Sequence, residues 1–436
     1  MQPTVKRTLV LVTLLSCLAL GWLLSLFSSS EPLNFESHRG RESHVAPKVT
    51  PFDRSALSRD RRCSSSADEE LLHDYTSAVE LRLIADLLDA YRRKHRSWRV
   101  ALLRGDSKVK TLTWVCDTFC GGIGGRVKGI VTSLLLASLT DRLFLIKWST
   151  PFDPEQQRLL FQPAAIDWDM NQSIWKVVGH NVHVHTTTTA SSELTVQVLQ
   201  RTVFNYSSNH VTVRTNIHYS KFFLGLSQFD SATLRILYEK GLRYWIMEQL
   251  QERNEKISGL LVRFLFRLSD TLQPRIVNTT SGMGLGKHPY VGVHLRTGFY
   301  GTLNENPKRF GEFHHKEVWQ QLLDCALEKG EALLGAKFDI VLLTDSNVVK
   351  EWATHQYKGR VLVTGKEAVH FDKEDDSNHS IDAALQAGAE LGILAYSSIL
   401  FASSSSGFSH VAREYCGIPE HRMFHTLSCQ KLHDDT

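Results

Sequence analysis

From Tyr290 to Cys416, short apolar runs alternate with segments of helical period, and this alternation restricts the fold more than any other feature of the chain. Tyr290 to Leu295, Phe338 to Leu343, Arg360 to Val363 and Ile399 to Ala402 read as strands. Between and after them, about His315 to Leu334, Asn347 to His355, Ser380 to Tyr396 and Gly407 to Cys416 read as helices. Strands that take turns with helices require a parallel sheet covered on both faces. A similar unit opens earlier: Leu112 to Cys116 is strand-like, Cys120 to Gly125 is the turn CGGIGG, Arg126 to Thr140 is a helix, and Arg142 to Trp148 is a second strand. Ser231 to Leu250 and Lys256 to Leu272 read as two more helices, and Thr279 to Lys287 as a glycine-rich linker. The expectation is an α/β protein of two facing, Rossmann-like halves with a cleft between them.

In such sheets ligands lie beyond the carboxyl ends of the strands, so the residues found there carry the functional reading. The first strand of the second half ends at His294 and Arg296, the second at Thr344, Asp345 and Ser346, and the fourth at Ser403 to Ser406 and Gly407. Arginine offers a planar fork of donors suited to a diphosphate, and a helix start offers free backbone N–H groups to the same kind of ligand. In the first half, Gly122 and Gly124 would let the backbone approach an anion at a helix start, with Arg126 and Lys128 just inside the helix. The same glycines also suit a plain tight turn. Together the strand ends point to a nucleotide-sugar donor. The His183 to His185 alternation lacks an evident third metal ligand, and no zinc-ribbon cysteine spacing is present, so no metal is expected.

Thr8 to Phe27 carries no charge and is long enough to cross a bilayer, with Lys6 and Arg7 before it. This predicts a type II signal anchor, with a cleaved signal peptide as the competing reading. The expected divisions are a cytosolic tail (1–7), a transmembrane helix (8–27), a polar stem (28–67), an amino-terminal acceptor-side domain (68–284) and a carboxyl-terminal donor domain (285–436). Glu69 to about Arg96 has helical apolar spacing and is read as packing on the body, with dimerisation through the stem as the other use. Sequons begin at Asn171, Asn205, Asn278 and Asn378, and six cysteines lie outside the apolar run: Cys63, Cys116, Cys120, Cys325, Cys416 and Cys429. Both features suit an oxidising, glycosylating compartment, with disulfides whose connectivity stays open. The net charge of +4 is too small and too dispersed for a nucleic-acid partner.

The ordered set GGIGGR, VGVHLR, LLTDS, an ID-x-x-L helix and FASSSSGFSHVA, spanning Leu112 to Cys416, resembles the inverting fucosyltransferase superfamily of α1,2, α1,6 and protein O-fucosyl types. The resemblance implies a GT-B fold and metal-independent transfer of fucose from GDP-fucose. It further implies that Arg296 contacts the diphosphate and stabilises departing GDP while His294 positions it. It gives Asp345 a place at ribose or guanine, Asp382 a place near the base, and Ser405, Ser406 and Gly407 a hold on phosphate. The sequence departs from several members after the arginine, where Thr297, Gly298 and Phe299 replace a second arginine and an aspartate. The general base is thereby unassigned; Glu305 ranks first and Glu312 second, as carboxylates of the following loop.

The expected protein is therefore a Golgi membrane glycosyltransferase that acts on a glycoprotein or glycolipid glycan, needs no cofactor, and uses a GDP-sugar as its donor. Two other readings keep the same residues: a GT-B transferase with a different nucleotide-sugar donor, and a membrane-anchored glycan-binding protein without activity.

Overall fold

The computed structural model describes residues 79–116, 121–149, 156–178, 182–185, 209–216, 254–285, 288–297, 299–300, 303–304, 315–364, 377–403, 406–418 and 423–425. All of them belong to one compact unit spanning Phe52–Thr436. The apolar run 8–27, the stem and the predicted helix at 231–250 lie outside the described residues. No helix among the described residues is long and apolar enough to cross a membrane.

The chain is mixed α/β and is built around two parallel sheets. The first contains β1 (Thr111–Cys116), β2 (Leu143–Trp148), β4 (Val182–His185) and β5 (His210–Arg214), in the order β2-β1-β5-β4. Its helices are α1 (Val79–Leu103), α2 (Ile123–Leu139) and the short α3 (Gln172–Val178). The period-2 alternation of a strand divides its side chains between two layers. In β2, Leu143 and Leu145 face a small core with Leu102 of α1 and Ile174 and Val178 of α3, whereas Phe144 and Ile146 face the main core. Helix α1 therefore packs on the body, through Leu88, Tyr91 and Leu102. Tyr91 ties it to the sheet: its hydroxyl donates to the Arg142 carbonyl at 2.8 Å and accepts from the Phe144 N–H at 3.0 Å.

The stretch from 254 to 285 departs from expectation. Helix α4 (Asn254–Leu265) stops before Phe266, and Phe266–Leu268 forms β6, antiparallel to β3 (Phe161–Pro163). The apolar spacing continues smoothly through this break, but a pairing partner about a hundred positions upstream captures the backbone. Helix α5 (Leu272–Gly282) takes in the first four residues of the predicted linker and buries Leu272 and Ile276.

The second sheet contains β7 (Tyr290–Leu295), β10 (Asp339–Thr344), β11 (Val361–Val363), β12 (Ile399–Ala402) and β13 (Met423–His425), in the order β11-β10-β7-β12-β13. A two-strand ribbon of β8 (Phe299–Tyr300) and β9 (Leu303–Asn304) follows β7. The helices are α6 (Lys316–Leu334), α7 (Asn347–Gln356), α8 (Ser377–Ala395) and α9 (Gly407–Cys416). Alternation again makes two layers: Ile340, Leu342 and Phe401 pack with Trp319 and Leu322 of α6, while Val341, Leu343 and Leu400 join the main core with α8 and α9. That core is shared with the first sheet, and α9 packs on both α2 and α4. Cys116, Cys325 and Cys416 are disulfide-bonded.

Candidate functional site

The order β11-β10-β7-β12-β13 places the first strand of this half, β7, in the middle of the sheet, with successive strands added to one side and then the other. The chain reverses its direction of travel between β7 and β12. At such a switch point the connections leave in opposite directions and open a crevice at the carboxyl ends of the two strands. Arg296 follows β7, and Ser403, Ser406 and Gly407 follow β12, so the topology brings these residues to that crevice.

Hydrogen bonds hold the segments together. The Arg296 N–H donates to Ser403 Oγ at 2.9 Å, and the Ser403 N–H donates to the His294 carbonyl at 3.0 Å. On the other side of β7, Asp345 Oδ1 accepts from the Thr297 N–H at 2.7 Å and from Thr297 Oγ1 at 2.8 Å. The arginine therefore stands on a backbone anchored to both neighbouring strand ends. Its side chain is partly exposed.

His294 is buried, 8% exposed, with Nδ1 2.6 Å from Ser409 Oγ and its ring 5.2 Å from the ring of Phe408. Burial, and next the charge of Arg296, push its pKa down to about 3. A neutral imidazole fixed in this way is a poor proton acceptor, and its role is to bind the first turn of α9 to the end of β7. Ser406 is the N-cap of α9, and its N–H donates to the Ser403 carbonyl at 3.1 Å. The N–H groups at the start of α9 favour negative charge through the helix dipole, and the backbone of Arg296 is held beside them by Ser403.

The glycine-rich turn of the first half meets this site. Helix α2 begins at Ile123 with Gly122 as N-cap, so Gly124 and Gly125 lie in its first turn instead of in a loop. The reason is packing: a Cβ on Gly124 would stand 2.3 Å from the Gly407 carbonyl carbon and 2.5 Å from its oxygen. The first turns of α2 and α9 thus meet backbone to backbone. Lys128 also reaches this junction, with Nζ 3.6 Å from the position a Gly407 Cβ would take.

Other predicted residues are placed otherwise. Arg126 is 0% exposed; its Nε donates to the Gly121 carbonyl at 2.7 Å and its guanidinium lies 5.2 Å from the centre of the Trp148 ring. It braces the glycine turn from inside. Asp382, on α8, pairs with Arg275 of α5 at 2.6 Å and is half exposed. Glu305, Glu312, Ser405 and Asn205 lie outside the described residues, as does the side chain of Asn378. Asn171 and Asn278 are exposed, and Asn171 Oδ1 accepts from the Ile174 N–H at the start of α3.

Several participants were not picked out by reading motifs. Ser409 is visible only as a polar residue at a buried position of α9, and Thr297 reads as a mere departure from a pattern. Beyond β10 and β11, Lys350 Nζ donates to Thr364 Oγ1 at 3.4 Å, which donates to Glu390 Oε1 at 3.1 Å. That network joins α7, the end of β11 and α8, three segments far apart in sequence.

Comparison with solved structures finds the same fold in an arginine-to-lysine mutant of Arabidopsis thaliana FUT1 in complex with GDP. The TM-score is 0.50 at 15% identity, over 78% of this chain and 80% of that one. Also similar are the α-1,6-fucosyltransferase NodZ soaked with GDP-fucose, with TM-score 0.43, 14% identity and coverage of 70% and 92%, a protein from Bradyrhizobium. POFUT1 in complex with GDP follows, with TM-score 0.40, 17% identity and coverage of 73% and 99%. No protein-family model and no curated protein sequence matches the chain.

Proposed function

We propose that the protein is a glycosyltransferase that moves L-fucose from GDP-fucose to a glycan acceptor with inversion, and that it does so without a metal ion. The observation that carries this reading is the anchored Arg296 beside the start of α9, at the switch point between β7 and β12. The shared fold with FUT1, solved in complex with GDP, supports the choice of a guanosine diphosphate donor.

In the proposed reaction the acceptor hydroxyl attacks C1 of fucose from the face opposite the diphosphate. The bond from C1 to the β-phosphate oxygen breaks, and negative charge gathers on that oxygen. The fork of Arg296 and the N–H groups at the start of α9 offset this charge, a stabilisation that grows as the bond breaks and so lowers the barrier. The acceptor proton passes to a base in the loop after β7, with Glu305 ahead of Glu312. Gly122 and Gly124 of α2 border the donor from the first half. His294 and Ser406 maintain the geometry of α9, and Asp345 that of the Arg296 backbone.

The cellular setting is proposed from the sequence: a Golgi membrane protein anchored through 8–27, with its catalytic region lumenal and glycosylated at the four sequons. Asn171 and Asn278 are exposed, as such a modification needs.

The test is transfer of labelled fucose from GDP-fucose to a panel of glycans, with and without EDTA. Transfer that survives chelation and yields an α-fucoside, the anomeric inverse of the β-linked donor, is expected. A strict need for added Mn²⁺, or retention of configuration, would contradict the proposal.

A further inference from the structure

Asp345 was expected at the ribose or guanine, yet the contacts of its Oδ1 are spent on the chain itself. That single oxygen accepts two hydrogen bonds from Thr297, one from the backbone and one from the hydroxyl, at 2.7 and 2.8 Å. Any residue but proline at this position would supply the N–H. The hydroxyl is particular to threonine and serine, and it stands where the resembled family often carries a second arginine.

Thr297 is fully buried, and its partner belongs to a strand end forty-eight residues further on. A bidentate grip of this kind fixes the carboxylate and, through it, the peptide between Arg296 and Thr297. The preceding peptide is held from the opposite side, by Ser403 Oγ on the Arg296 N–H. One anchor comes from the end of β10 and the other from the end of β12, the two strands flanking β7. A guanidinium carried on a long flexible side chain gains its catalytic effect only when held near the geometry of the departing charge, and small displacements are costly.

We infer that Thr297 and Asp345 are positioning residues that set the direction of Arg296 through its backbone. The inference rests on the fucosyl-transfer reading, in which Arg296 stabilises the departing diphosphate. It assigns Asp345 to the backbone of the arginine instead of to the donor's ribose or base.

The experiment compares the full chain with Thr297→Val, Thr297→Ser and Asp345→Asn. The measurements are kcat and KM for GDP-fucose, the Kd for GDP, and Tm. Valine keeps the branched shape and the backbone N–H and removes only the hydroxyl. Thr297→Val is expected to lower kcat by about tenfold, a modest misplacement of the arginine, while KM for GDP-fucose changes less than about twofold. Thr297→Ser restores kcat because it restores the hydroxyl. A loss of Tm without this split, or a valine variant with the kcat of the wild type, would overturn the inference. So would equal losses in the serine and valine variants. A GDP Kd raised by Asp345→Asn alone, with Thr297→Val unaffected, would return Asp345 to the donor. If the wild-type protein neither binds GDP nor turns over GDP-fucose, the functional reading itself fails and this inference falls with it.

Discussion

Replacing Arg296 with lysine is expected to leave Tm close to that of the wild type and to cut the turnover of GDP-fucose by about a hundredfold or more, the scale found when one preorganised donor to a developing oxyanion is removed. The fold should survive because the residue lies after β7 with a partly exposed side chain, and the hydrogen bond it gives to Ser403 comes from its backbone. Activity should not survive, because an ammonium group is a compact point charge that cannot make two parallel hydrogen bonds to a diphosphate. Steady-state kinetics together with a melting curve make the test. A lysine variant with near-wild-type kcat would remove Arg296 from the mechanism, and one that fails to fold would make the residue structural.

Gly124→Ala is expected to have a large effect on stability. The added Cβ would lie 2.3, 2.5 and 2.7 Å from the carbonyl carbon, oxygen and Cα of Gly407, all of them backbone atoms that cannot swing aside. Alanine ordinarily favours a helix over glycine by about 1 kcal/mol. Here the overlap must separate the first turns of α2 and α9, a rearrangement of the overpacked kind, and a net loss of about 2 kcal/mol or more is expected. Gly282→Ala supplies the control: it sits near the end of α5 with nothing within 4 Å of its Cβ position, and should be neutral or slightly stabilising. Denaturant midpoints of the two variants decide the matter. Gly124→Ala should also weaken GDP binding, since the start of α9 moves with it. Equal midpoints for both variants would show that the junction is looser than the contact implies.

The second sheet was legible because each of its first four strands is a short apolar run bounded by a polar turn and an amphipathic helix. Locally favoured and globally formed structure agree there. β13 was missed because Met423–His425 is only three residues long, and pairing with β12 fixes it. β6 was missed for the opposite reason: Phe266 continues the apolar helical spacing of α4, and only the antiparallel pairing with β3 ends it. The glycine turn was read three residues too long, because nothing in the sequence near Gly124 announces the backbone of Gly407.

In the site, the position of Arg296 was foreseeable from strand-end logic, and so was the place of Ser403 after β12, but not its bond to the Arg296 N–H. The inward turn of Arg126 was not foreseeable. It depends on Trp148, at the end of a different strand, and on a carbonyl freed by the turn at Gly121. His294 was expected to position the donor; its ring lies against Ser409 and Phe408, in the first turn of α9.

The measurement that bears most directly on the account is the thermal stability of the full-length protein with saturating GDP, UDP or CMP, repeated on Arg296→Ala. A ligand that binds only the native state stabilises it by about 2.7 kcal/mol at a hundred times its Kd. The account predicts stabilisation by GDP, little by UDP or CMP, and loss of the GDP effect in the alanine variant. Equal stabilisation by UDP, an undiminished GDP effect without Arg296, or no response to any nucleotide would contradict it.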